Sequence, residues 1–143
     1  MDSQVLANQI TDTYRNLGLG NIDSLREIYS EKIVFEDPAH RIEGLENMLQ
    51  YFKAMYANVN DCRFEFDSVI VDQKHIVLTW VMHLSHPKLK KGLPIEIVGS
   101  SVLEIAHGKV ERHRDYFDLG AMAYEHIPLI GKVVRGIKNR LGQ

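Results

Sequence analysis

Val5, Leu6, Ile10, Tyr14 and Leu17 recur at helical spacing and give way to Gly18 and Gly20, so a first helix is predicted to end there. A second, short helix is predicted to carry Ile22, Leu25, Ile28 and Tyr29, with Asn21 or Asp23 as its cap. Lys32 to Phe35 reads as a short strand stopped by Glu36-Asp37-Pro38, because proline disfavours helix at Asp37 and marks a turn. A third helix, from about Gly44 to Asn58, presents Leu45, Met48, Leu49, Phe52, Met55 and Tyr56 as one apolar stripe.

From Cys62 onward the period changes from helical to alternating. Cys62 to Asp72 alternates around Phe64, Phe66 and Ile70, and His75 to His86 is rich in β-branched and aromatic residues. A polar turn, Pro87 to Gly92, leads to a third long strand from about Pro94 to Ala106, and His107-Gly108 turns tightly into a fourth, Lys109 to Asp118. Helices first and an antiparallel meander second make an α+β domain. The chain divides into a main domain, 1–120, and a basic helical extension, 121–143, expected to pack on the same domain.

Composition narrows the class. A length of 143 residues, 45% apolar and 25% charged, suits one globular domain that buries its own core. Cys62 is the only cysteine, so no internal disulfide forms. No apolar run approaches the ~20 residues that cross a bilayer, and the first residues lack a secretory pattern, so a cytoplasmic location is expected. A net charge of −2 gives no reason to expect nucleic acid. The cluster Lys132, Arg135, Lys138 and Arg140 is read as a packed amphipathic segment, with contact to an anionic membrane surface as the other reading.

Three stretches together resemble the nuclear transport factor 2-like (SnoaL-like) superfamily. They are Tyr14 through Tyr29 with Gly20-Asn21-Ile22-Asp23 inside it, the run Ser30 to Pro38, and the run His107 to Asp118. The resemblance spans most of the main domain. It implies a curved antiparallel sheet packed against three N-terminal helices, forming a cone with an internal pocket. It also implies a choice among isomerases, cyclases, epoxide hydrolases and non-enzymatic binding domains, which fold alone does not make.

Residue matching separates these. Asp37 falls where ketosteroid isomerases carry their carboxylate base, but Thr13 stands where their helix tyrosine belongs. Tyr14, one residue on, is turned by about 100° and is expected to aim elsewhere, and Ser101 (or Ser100) replaces their second acid. Asp115 matches the second aspartate of limonene epoxide hydrolases, whose other two positions appear as His83 and Val81, so their arginine is lost. SnoaL-type cyclases use an aspartate on the last strand, where Asp115 fits, with His83 and His113 as companions.

Period-two alternation groups His113, Asp115 and Phe117 on one face, and Ile97, Gly99, Ser101, Leu103 and Ile105 on one face of the preceding strand. On the strand before that it groups Thr79, Val81, His83 and Ser85, and that set is taken to face the pocket, leaving Trp80 outside. The expected site is an apolar cup lined by Tyr14, Phe52, Val81, Ser101, His113 and Phe117, with Asp115 and His83 as the acid/base pair and Asp37 assisting. A lone carboxylate there would have a raised pKa. The bland readings are a turn-forming Asp37, a salt-bridged Asp115 and histidines satisfied in the core.

The sequence therefore points to a domain that binds a small, largely apolar ring- or carbonyl-bearing molecule, acting as a cofactor-free isomerase, cyclase or hydrolase; the alternative is a non-catalytic ligand-binding or assembly module. No metal site is expected, since His83 and His86 point to opposite faces. A homodimer is expected through the exposed sheet face, with Arg63, Glu65, Trp80, Met82 and Val98 on it.

Overall fold

The computed structural model describes residues 2–120 and residue 141. Helix α1 (Ser3–Arg15) starts where the Asp2 carboxylate accepts the Gln4 N–H at 3.0 Å. It buries Leu6, Ala7, Ile10 and Tyr14 along one stripe. The segment read as a second helix is a 3₁₀ helix (Leu19–Glu27) that buries Ile22 and Leu25. Tyr29, assigned to that helix by its spacing, instead opens strand β1 (Tyr29–Glu36). A three-residue strand β2 (Arg41–Glu43), too short to leave a periodic signal, folds back on β1. Helix α2 (Leu45–Asn58) buries Leu45, Met48, Leu49, Phe52 and Tyr56.

Four long strands follow: β3 (Asp61–Val71), β4 (His75–Ser85), β5 (Ile95–Ala106) and β6 (Lys109–Phe117). They form one curved, unclosed six-stranded sheet in the order β2-β1-β6-β5-β4-β3. The sheet is mixed, correcting the all-antiparallel expectation: β1 runs parallel to β6, because the chain returns to that edge from the far end of the meander. α1 packs on β3 and α2 on β1, and the core lies between helices and sheet.

Two features of the strand faces differ from the simple alternation. In β3 the register shifts between Phe66 and Ser68, a bulge that leaves Phe64 and Phe66 inside and Ile70 61% exposed. In β4 the inward set is Ile76, Leu78, Trp80, Met82 and Leu84, not Thr79, Val81, His83 and Ser85. The reason is area. Enclosing Ile, Leu, Trp, Met and Leu removes far more apolar surface from water than enclosing Thr, Val, His and Ser, and a strand must choose one phase. Of the residues expected on the outer face, Arg63, Glu65 and Val98 are there, whereas Trp80 and Met82 are inside. The basic extension lies outside the described residues apart from Leu141, which is exposed.

Gly99 makes the Trp80 position possible. The two residues are cross-strand partners, and a Cβ on Gly99 would lie 2.4 Å from the indole Cη2. Gly99→Ala should therefore destabilise the fold by about 1–3 kcal/mol, the usual range for overpacking. Urea unfolding monitored by fluorescence of the single tryptophan measures this, and an unchanged midpoint would show that the ring is free to move.

Candidate functional site

The β4–β5–β6 register arranges the inner face in rows. Leu78 pairs with Ser101, and Ser101 with Asp115; Trp80 pairs with Gly99, and Gly99 with Phe117. One row further, Leu103 pairs with His113, and His113 with Phe35 on β1. Two polar residues on β6 thus meet one on β5 within an apolar wall, enclosing a cavity of about 120 Å³. Since one water needs about 10–15 Å³ on this scale, a small organic molecule fits.

The polar groups are hydrogen-bonded in a line. Tyr14 and Tyr29 hydroxyls lie 2.5 Å apart, and the Tyr29 hydroxyl is 2.8 Å from His113 Nδ1. His113 Nε2 is 2.6 Å from Asp115 Oδ1. From the other side, Trp80 Nε1–H donates to Ser101 Oγ at 2.9 Å, and Ser101 donates to Asp115 Oδ1 at 2.5 Å. Burial, before any neighbouring charge, holds both phenols above the usual tyrosine range, so they remain protonated donors. With the carboxylate ionised and the imidazole neutral, Nε2–H donates to Asp115 and Nδ1 accepts the Tyr29 hydroxyl. Every donor then points toward Asp115. Both bonds enter through Oδ1, leaving Oδ2 without a hydrogen bond among the described residues.

Tyr14 corrects the count made from Gly20. It faces the cavity, edge-on to Phe52 and Phe64, while Thr13 turns back to the Gln9 carbonyl at 2.7 Å. The helix phase is set by Ala7, Ile10, Tyr14 and Leu17, which bury a common stripe. The phenol does not stand free, since it is paired to Tyr29.

Asp37 lines the cavity beside the exposed His40. Its Oδ1 accepts the Ala39 N–H at 2.8 Å and the His40 N–H at 2.7 Å, closing the turn after β1. His40 Nδ1 lies 3.2 Å from the same oxygen and 3.3 Å from the Tyr51 hydroxyl. Burial, with Asp37 and Asp115 adding to it, holds the Tyr51 phenol well above its usual range. His40 and Tyr51 were missed because nothing in their spacing reveals a turn that folds back over the pocket.

Of the expected site residues, Tyr14, Asp37, Phe52, Ser101, His113, Asp115 and Phe117 line the cavity. His83 and Val81 do not. The β4 phase puts them on the outer face, where His83 Nε2 lies 3.3 Å from Glu65 and Nδ1 lies 3.6 Å from Glu96. Asp115 therefore pairs with His113 instead, and its carboxylate is not the lone group expected. It makes no bond to Arg112 or Arg114, whose guanidiniums each reach Glu36 at 3.2 Å. Trp80, Tyr29, Phe35, Phe64, Phe66 and Met82 complete the wall and the hydrogen-bonded line. Among the described residues no group of His, Cys, Asp and Glu side chains gathers to hold a metal ion.

This cone with a polar cluster in an apolar cup defines a class, and sequence comparison agrees with it. Residues 10–113 match the SnoaL-like domain family, and the chain belongs to that family. No curated protein matches the chain in sequence. Solved structures share the fold. A SnoaL-like protein from Jannaschia sp. CCS1 assigned to the polyketide cyclases is 15% identical over 84% of this chain and 90% of its own, with a TM-score of 0.72. An LEH-like epoxide hydrolase from M. tuberculosis is 17% identical over 84% and 83%, with a TM-score of 0.70. AclR from Streptomyces galilaeus, assigned as a hydroxylase, is 14% identical over 91% and 96%, with a TM-score of 0.68.

Removing the Tyr29 hydroxyl tests the line of donors. Tyr29→Phe leaves His113 Nδ1 unpartnered in a buried site and should cost about 1–3 kcal/mol. Chemical denaturation measures it, and a variant as stable as the parent would show that the bond holds nothing.

Proposed function

We propose that this SnoaL-like domain binds a small, largely apolar ring- or carbonyl-bearing molecule in the cavity and acts on it as a cofactor-free acid/base enzyme, an isomerase, cyclase or hydrolase. Asp115 is the proton-transferring group and His113 its partner. The observation that carries the reading is the convergence of donors on one oxygen of Asp115 at the wall of an apolar cavity. Two hydrogen bonds on Oδ1 hold the carboxylate still. Oδ2 is then the atom to take a proton from a carbon or water beside a bound substrate.

His113 assists without leaving its place. If the Asp115 carboxyl becomes protonated, the imidazole keeps its Nε2–H bond to Oδ1 and the substrate proton rests on Oδ2 until it is returned. Asp37, with His40 and Tyr51, supplies the second polar group. His83 has no part in this scheme, being on the opposite face of the sheet.

The competing reading is a module that binds a ligand and does no chemistry on it. Asp115→Asn separates the two. A screen of ring-bearing ketones and epoxides should yield a substrate whose turnover falls roughly 10²–10⁴-fold in the variant, the usual contribution of one general acid/base group. Unchanged turnover removes the mechanism. Ligands that bind the cavity without any being converted would favour the module.

A further inference from the structure

The cavity has two polar stations in an aromatic wall. Asp115, His113 and Ser101 form the first station, and Asp37, His40 and Tyr51 the second. Each station contains a carboxylate. Among the described residues no lysine or arginine lines the cavity. Arg112 and Arg114, on either side of His113 along β6, turn outward to Glu36. Arg15 stacks over the Phe66 ring at 5.6 Å, pairs with Asp12 at 3.2 Å, and does not line the cavity.

Three physical consequences follow for whatever enters. Aromatic faces such as those of Tyr14, Phe52, Phe64 and Trp80 carry a negative quadrupole and attract a cation. An ionised carboxylate in a partly desolvated wall attracts a cation and repels an anion more strongly than in water. The two carboxylates also differ. Asp37 is engaged by two backbone N–H groups and faces His40 with both oxygens, whereas Asp115 keeps Oδ2 open among the described residues.

We propose that the cavity is charge-selective, taking a ring-bearing molecule that carries an ammonium group, admitting a neutral alcohol of the same shape more weakly, and excluding the carboxylate. The ammonium donates to Asp115 Oδ2 while the ring packs on the aromatic wall. This rests on the reading of the cavity as a site for small ring-bearing molecules, and it adds the ligand's charge.

Benzylammonium, benzyl alcohol and benzoate share one ring and differ in charge, so they test the inference on the full chain without knowledge of the substrate. Titrations followed by protein NMR, at a pH above the usual histidine range, should show benzylammonium binding at least about tenfold more tightly than benzyl alcohol, with benzoate weakest. Asp115→Asn should bring benzylammonium to within about threefold of benzyl alcohol. An unchanged unfolding midpoint and unchanged amide spectrum outside the cavity show that the variant is folded. Benzoate binding as tightly as benzylammonium overturns the charge selectivity while leaving ring binding in place, and a preference that survives Asp115→Asn but is lost in Asp37→Asn overturns the placing of the ammonium on Asp115. If none of the three perturbs the cavity residues, the small-molecule reading beneath it fails as well.

Discussion

The β5–β6 pairing is the constraint from which the site follows. A carboxylate inside an apolar wall keeps its charge only where donors surround it, and on a sheet the available donors are fixed by register. Here the register sets Ser101 directly opposite Asp115 and Leu103 opposite His113. His113 and Asp115 are two residues apart on one strand, so they share a face and their side chains meet at 2.6 Å. A slip of one residue would turn His113 and Asp115 out to solvent and bring Arg112 and Arg114 in.

Packing then completes what pairing begins. Trp80 reaches Ser101 because Gly99 leaves its strand bare beneath the indole ring. Tyr14 reaches Tyr29 because the buried stripe of α1 aims it at the sheet, and Tyr29 reaches His113 from the start of β1. Residues from α1, β1, β4, β5 and β6 therefore contribute to one line of hydrogen bonds. That line couples the geometry of the acid/base pair to the folding of these five elements.

Much of this was legible in the sequence, for reasons that can be traced. Along β5 one phase carries Ile95, Ile97, Leu103 and Ile105, so the grouping of Ser101 with its neighbours follows directly, and His113, Asp115 and Phe117 share a face because they stand two residues apart on β6. β4 also has one wholly apolar phase, Ile76, Leu78, Trp80, Met82 and Leu84, against a phase that mixes Val77 and Val81 with His75, Thr79, His83 and Ser85; His83 was given a place inside because its match to a family position was put before that alternation. Tyr29 fits a helical spacing as well as a strand, and its partner His113 lies 84 positions away. The bulge that exposes Ile70, and the turn that brings His40 over the pocket, depend on tertiary contacts with no local signature.

The donors all run toward Asp115 only where His113 is neutral with its proton on Nε2. Long-range ¹H–¹⁵N correlation spectra of the imidazole report this directly. At neutral pH they should show a protonated Nε2 and an unprotonated, hydrogen-bond-accepting Nδ1. A proton found on Nδ1, alone or together with Nε2, would reverse the Tyr29 bond and contradict the arrangement on which the proposed chemistry stands.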